Sequence, residues 1–125
     1  VKNETYVRAF YKTGVYVAEL IEMQEENQRA LVKVLAVLRH PTQGDLHNPK
    51  MTNVPFFHQR KALAQFEKTW VPLSSLKSYD EQVPDYKTSL KKALEKQISE
   101  LESQDTDWSR ACLEKLKECQ NEYGL

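Results

Sequence analysis

Glycine is scarce in this sequence. The 125 residues include three, Gly14, Gly44 and Gly124. They lie far apart, so no Gly-rich loop exists to cradle a phosphate. Cysteine is scarcer: Cys112 and Cys119 are the two. On one helix they would stand about 10.5 Å apart, whereas a disulfide needs Cα atoms within roughly 7 Å. They cannot pair with each other, and the spacing fits no CxxC redox or zinc motif. Two unpaired thiols point to a reducing compartment, the cytosol. No apolar run approaches the ~20 residues of a membrane span. Val1-Lys2-Asn3-Glu4 has neither the charged start nor the apolar stretch of a signal peptide. With no initiator Met, a segment ahead of it stays open. There is no GxSxG, and neither cysteine neighbours a histidine in sequence. Net charge is absent too, 18 Lys and Arg against 18 Asp and Glu.

What is present is a globular chain, 40% apolar and 29% charged, of a size for one domain or a small domain with an appendage. Ala30 to Arg60 organises it. Ala30-Leu31-Val32-Lys33-Val34-Leu35-Ala36-Val37-Leu38 is the longest apolar run. Read with a period of two, Ala30, Val32, Val34, Ala36 and Leu38 share one buried face of a strand. The strand runs into the loop His40-Pro41-Thr42-Gln43-Gly44-Asp45-Leu46-His47-Asn48-Pro49, which holds two of the three histidines. The exit, Val54-Pro55-Phe56-Phe57-His58-Gln59-Arg60, sets paired aromatics beside the third histidine and an arginine.

Ahead of this stretch, Tyr6–Tyr11 and Val15 to about Met23 alternate as strands. Lys12-Thr13-Gly14 reads as a hairpin turn, with Gly14 supplying the positive φ. After the loop, Lys61–Glu67 reads as a further strand, and Lys68-Thr69 turns the chain into Trp70-Val71. Pro72 to Leu76 reads as a short turn of 3₁₀ type, and Lys77-Ser78-Tyr79 closes the sheet. Five short strands in some eighty residues suit a small, partly open barrel. Val7-x-Ala9-x-Tyr11-x-x-Gly14-x-Tyr16-x-Ala18-x-Leu20 and Val71-Pro72-Leu73-Ser74-Ser75-Leu76-Lys77 resemble the opening hairpin and closing turn of SH3-like barrels of the Tudor and KOW kind.

Past Asp80-Glu81-Gln82-Val83-Pro84 the period changes to nearly four. Tyr86, Leu90, Leu94, Ile98 and Leu101 form one apolar stripe; Trp108, Cys112, Leu116, Cys119 and Tyr123 form a second. Pro84-Asp85 suits the first helix start, Asp105 or Thr106 the second N-cap, and Gly124 its end. The fold class expected is therefore mainly β with α: an SH3-like five-stranded barrel over 1–80, then a two-helix antiparallel hairpin over 81–125 packed on it. The halves differ in charge. Through Tyr79 there are eleven Lys/Arg and seven Asp/Glu (+4); from Asp80 there are seven and eleven (−4). Opposite charge favours docking of one half on the other; the alternative is solvated faces with no consequence.

No chemistry stands out as catalytic. His40, His47 and His58 with Asp45 match no compact metal-ligand spacing, so no metal and no cofactor is expected, and no enzyme. Tyr11, Tyr16, Phe56 and Phe57 could form an aromatic cage for a methylated lysine, but barrel core is the simpler reading. Lys12, Lys33, Arg39, Lys50, Arg60 and Lys61 could line a basic face, but they are scattered, so a nucleic-acid-binding barrel is the alternative function.

Over nearly its full length the chain resembles the kinase-associated protein B family. Val7 to Tyr16 resembles the family's start, and Leu31 to Pro49 its most characteristic block. Val54-Pro55-Phe56-Phe57-His58 and Pro84-Asp85-Tyr86 through Leu94 continue the likeness. The resemblance implies a small regulatory protein of endospore-forming bacteria that supports a membrane sensor histidine kinase feeding the sporulation phosphorelay. It brings no established catalytic residues. It implies a lipid anchor, and here the sequence departs: no cysteine precedes Cys112, so no lipobox is present. A phosphotransfer protein presents its histidine on a helix, and none of the three lies in either predicted helix. The expected role is a non-enzymatic adaptor, cytoplasmic or at the inner face of the membrane through its partner. The sequence leaves a homo-oligomer open. The expected partner-binding surface is the His40–Pro49 loop with its exit: Asp45, His47, Asn48, Phe56, Phe57, His58 and Arg60; the alternative is a loop that packs on the barrel end and only closes it, with Phe56 and Phe57 in the core. Prolines restrict this segment, and Arg and aromatic side chains are common interface anchors.

Overall fold

The computed structural model describes residues 6–45, 50–54 and 57–125. Strands β1 (Tyr6–Tyr11) and β2 (Gly14–Gln24) form a hairpin paired from Tyr6↔Glu19 to Tyr11↔Gly14. Its positive φ falls on Lys12, at 54°, and not on Gly14 as the sequence suggested. Gly14 is required by packing instead. A Cβ there would stand 2.5 Å from the Tyr16 hydroxyl oxygen, so the missing side chain makes room for that ring.

β3 (Arg29–Arg39) pairs with β2. β4 (Lys68–Pro72) extends the sheet from β3, and β5 (Leu76–Ser78) extends it from β1. The order is β4-β3-β2-β1-β5, antiparallel throughout. The two edges, β4 and β5, are separated along the chain only by Leu73–Ser75, one turn of 3₁₀ helix. A flat sheet of five strands would hold its edges about 19 Å apart, so this sheet curls hard. Inside the curl lie Val7, Ala9, Ala18, Val32 and Val71, with Tyr11, Leu20 and Leu76 at the margin. The edges do not pair with each other. The small, partly open SH3-like barrel of the sequence reading is, among the described residues, an open, curled five-stranded sheet with two helices.

Two strand expectations also change. Ala30, Val32, Val34 and Ala36 are buried as the alternation predicts, but the next buried residue is Val37, at 1% exposure, and not Leu38. The pairing steps from Val15↔Arg39 to Tyr16↔Val37, skipping Leu38. Such a bulge takes one residue out of alternation and sharpens the local twist. The Val37 amide donates to Ser89 Oγ at 3.0 Å. The expected strand Lys61–Glu67 is irregular. The chain turns at Gln65-Phe66, with Phe66 at φ 69°, and the fourth strand starts at Lys68, where a turn was expected.

Helix α1 (Tyr86–Glu102) begins on Asp85, whose carboxylate accepts from the Thr88 amide at 3.0 Å. Helix α2 (Asp107–Tyr123) begins on Thr106, which exchanges hydrogen bonds with Ser109, and ends at Gly124 with φ 75°. Side chains at i, i+3 and i+4 share a helix face. That spacing places Leu90 and Ala93 on Tyr16, Val34 and Val37. It also places Leu94 and Leu101 against Cys112 and Leu116 of α2. α1 is thus packed between β3 and α2.

Candidate functional site

The irregular segment from Phe57 to Ala64 takes most of its backbone partners from side chains. Buried amides and carbonyls must be paired, and a segment outside a ladder has to find partners elsewhere. Gln43, 3% exposed, supplies two of these bonds and a third to Pro41. Its Nε2 donates to the Arg60 carbonyl at 2.8 Å and to the Pro41 carbonyl at 3.0 Å, while its Oε1 accepts from the Arg60 amide at 2.8 Å. The Ala62 amide donates to the Tyr123 hydroxyl at 2.8 Å and the Leu63 amide to the Tyr16 hydroxyl at 3.2 Å. The Tyr86 hydroxyl donates to the Leu63 carbonyl. Loop, strand β2 and both helices thus converge on one stretch of backbone.

His40 lies at the centre, fully buried. Its Nε2 is 2.8 Å from the Tyr123 hydroxyl and its Nδ1 is 3.1 Å from the Pro41 carbonyl. The Pro41 carbonyl can only accept, so the proton of the neutral ring sits on Nδ1 and Nε2 accepts from the Tyr123 hydroxyl, whose oxygen also accepts from the Ala62 amide. The Gln97 side-chain amide donates to the His40 carbonyl at 3.1 Å. Burial, the largest influence, lowers the His40 pKa from 6.5. Burial likewise raises Tyr16 to about 12 and Cys112 and Cys119 to about 11. These thiols are protonated and point at the carbonyls of Gln43 and Arg60, at 3.9 and 3.7 Å. Neither is poised as a nucleophile.

A pH dependence follows. A histidine whose folded pKa lies below its unfolded value binds more protons when unfolded, so stability rises with pH. Its contribution is fully present above about 6.5 and is lost progressively as pH falls towards the depressed folded value. Urea unfolding midpoints should decline between pH 7 and pH 5.5, and the decline should flatten in His40→Gln. Equal slopes in the two proteins would show that His40 is not the titrating group. Asp85 and Glu122, with pKa values lowered by hydrogen bonds from Thr88 and Lys61, act only in a more acidic range, below their ordinary 3.8 and 4.5.

The surface expected from the sequence divides. Phe57 packs its ring on the cluster of Leu94, Leu101, Cys112 and Leu116. It also lies under Gly44, where a Cβ would meet the ring at 2.9 Å. Arg60 Nε donates to the Gly44 carbonyl at 3.0 Å. The Gly44 amide donates to the His58 carbonyl at 2.9 Å. Phe57 and Arg60 therefore tie the loop base to the core. Asp45 is half-buried and the His58 side chain is exposed. His47, Asn48 and Phe56 lie outside the described residues. Of the cage candidates, Tyr16 is core and donates nothing to the surface, and Tyr11 borders two core clusters. The residues that sequence reasoning missed are Gln43 and Tyr86 as polar anchors, and Ser89 at the bulge. A fully polar side chain inside an otherwise ordinary loop is the one local signal Gln43 offered.

Charges at the candidate surface are unevenly matched. Lys33 pairs with Glu19, Lys61 with Glu122, and Lys115 with Glu118. Arg8, Arg39, Lys92 and Lys96 have no ion-pair partner among the described residues. No group of three or more His, Cys, Asp or Glu that could hold a metal occurs among the described residues.

Together these features define a class: a small protein with an open curled sheet sealed by a helical hairpin, whose buried polar side chains are occupied in holding backbone. The chain belongs to the kinase-associated protein B family, whose model matches residues 11–124. It is 47% identical over 117 residues to the kinase-associated lipoprotein B of Bacillus subtilis (strain 168), covering 94% of this chain and 90% of that protein. The crystal structure of kinase-associated protein B from Bacillus cereus superposes with a TM-score of 0.82 at 33% identity, covering 100% of this chain and 99% of that one. Among the described residues, no helix is long and apolar enough to cross a membrane.

Proposed function

We propose that this chain is a non-enzymatic regulatory protein that binds and modulates a sensor histidine kinase feeding the sporulation phosphorelay. The observation that carries the reading is the 47% identity to a relative named for its association with a kinase. The curled sheet is read here as an opened SH3-like barrel, a scaffold suited to binding. The protein acts in the cytoplasm, held at the inner face of the membrane through its partner. Cys112 and Cys119 are buried in the core, so neither serves as a lipid attachment point in the folded chain.

The effect on the kinase is exerted by contact and not by carrying phosphate. A phosphoryl acceptor must reach a partner's active site with a free ring nitrogen. His40 is fully buried with both nitrogens engaged. Neither helix contains a histidine. Nucleic acid is disfavoured as the partner because Lys33 and Lys61 of the basic set are already paired with carboxylates.

The test is incubation of the full chain with the autophosphorylated cytoplasmic portion of a sensor kinase. Co-retention on a kinase column without transfer of label is expected. Stoichiometric label on this chain would overturn the contact mechanism, and no retention at all would overturn the kinase reading.

A further inference from the structure

Three hollows join end to end along one side of α1. The central one, about 240 Å³, lies between the helix, β1 and the end of β3, and is lined by Arg8, Phe10, Leu38, Arg39 and Lys96 among others. A second shares Leu38, Ala93 and Lys96 and continues past Lys92 and Thr88 to Pro84. A third shares Arg39, Gln97 and Glu100 and continues to Gln104 and Trp108. From Thr88 to Glu102 the helix climbs about 21 Å, the length of roughly six residues of extended chain.

The charges on this line are one-sided; Arg8 lies over the Phe10 ring, 5.6 Å from its centre. Arg8, Arg39, Lys92 and Lys96 are exposed and have no ion-pair partner among the described residues. Glu100 is the one carboxylate among the lining residues. Among the cations stand Phe10, a large apolar side chain left 40% exposed, and the half-buried Leu38, and the half-buried Trp108 stands at the far end of the line. Arginine binds carboxylates in a bidentate fork, and aromatic and arginine side chains are the usual anchors of an interface.

We infer that this groove docks an extended acidic segment of a protein partner, with apolar side chains between its carboxylates. The inference rests on the reading of the chain as a protein-binding regulator and names the surface and the partner's chemistry. A nucleic-acid strand fits the line less well. Its phosphates carry charge at every step, so they would meet Glu100. A peptide can set an uncharged residue opposite Glu100, and its backbone offers N–H donors.

The experiment pans a random phage-displayed peptide library on the full chain, with inserts about twelve residues long so that an extended peptide overreaches the groove. The enriched peptides are then measured by fluorescence anisotropy against the wild type and against R39E/K96E, whose altered side chains are both exposed. Enriched peptides should combine Asp or Glu with Phe or Leu, and should bind the variant at least tenfold more weakly while its melting temperature stays unchanged. Peptides without acidic enrichment, or acidic peptides that bind both proteins equally, would overturn the inference. So would a labelled single-stranded oligonucleotide that binds more tightly than the peptides with a steep salt dependence. If R39E/K96E is itself destabilised, K92E alone is read instead, against the same two criteria. The kinase column separates the two levels: kinase retained equally by wild type and R39E/K96E overturns the groove and leaves kinase binding standing. Loss of retention in the variant alone supports the groove.

Discussion

Gln43→Met lowers the stability of the whole chain by about 3 kcal/mol and its melting temperature by roughly 10 °C. Methionine nearly matches the volume of glutamine, so packing is conserved and the hydrogen bonds alone are removed. The Arg60 amide loses its side-chain partner, the Arg60 carbonyl keeps only the Cys119 thiol, and the Pro41 carbonyl loses one donor. A buried polar group left unpaired costs about 1–3 kcal/mol. Arg60→Ala serves as the comparison. It keeps the Arg60 backbone and removes only the guanidinium bond to Gly44, from a side chain that is partly solvated. Its cost should stay near 1 kcal/mol. Paired urea and thermal unfolding of the three proteins checks the ranking. A Gln43→Met variant that unfolds with the wild type would mean that the amide is not what holds residues 57–64 in place.

Removal of residues 81–125 has a larger effect: the remaining 1–80 fragment does not reach a folded state with a cooperative melt. We propose 1–80 and 81–125 as two units of one fold, and their shared surface is the reason the cut is severe. Tyr16, Val34 and Val37 would lose Leu90 and Ala93. The hydroxyls of Tyr86 and Tyr123 would be withdrawn from the Leu63 carbonyl and the Ala62 amide. Both an apolar face and backbone groups would open to water, which favours aggregation. Circular dichroism and light scattering on the fragment decide the matter; a fragment melting cooperatively at the full chain's temperature would overturn the prediction.

The helical half was legible because its determinants are local. Asp85, Thr106 and Gly124 announce helix ends by side-chain chemistry and conformation. The stripes from Tyr86 to Leu101 and from Trp108 to Tyr123 follow a period that no distant residue needs to supply. The β half was legible only while its strands alternated regularly. Leu38 was misplaced because a bulge beside Tyr16 leaves no mark on residue pattern. Lys61–Glu67 was misread because the Ala62 and Leu63 backbone groups are held by Tyr16, Tyr86 and Tyr123, all distant in sequence, and pairing with the Val34 backbone begins at Phe66. The candidate surface shows the same limit. Phe57 and Arg60 are aromatic and cationic, as an interface requires, yet Gly44 and the helical core claim both. Arg39 and Lys96 reach one groove only because α1 crosses β3, which periodicity alone does not give.

The bond between the Tyr123 hydroxyl and the Ala62 amide also sets an order of events during synthesis. The sheet residues leave the ribosome first, carrying a stretch of backbone whose partner is translated some sixty residues later. Until α2 emerges, the Ala62 amide has only water or a chaperone to bond with. The nascent chain therefore cannot complete its interior stepwise, and the final turn of the last helix acts as the clasp that commits the whole polypeptide to one shape.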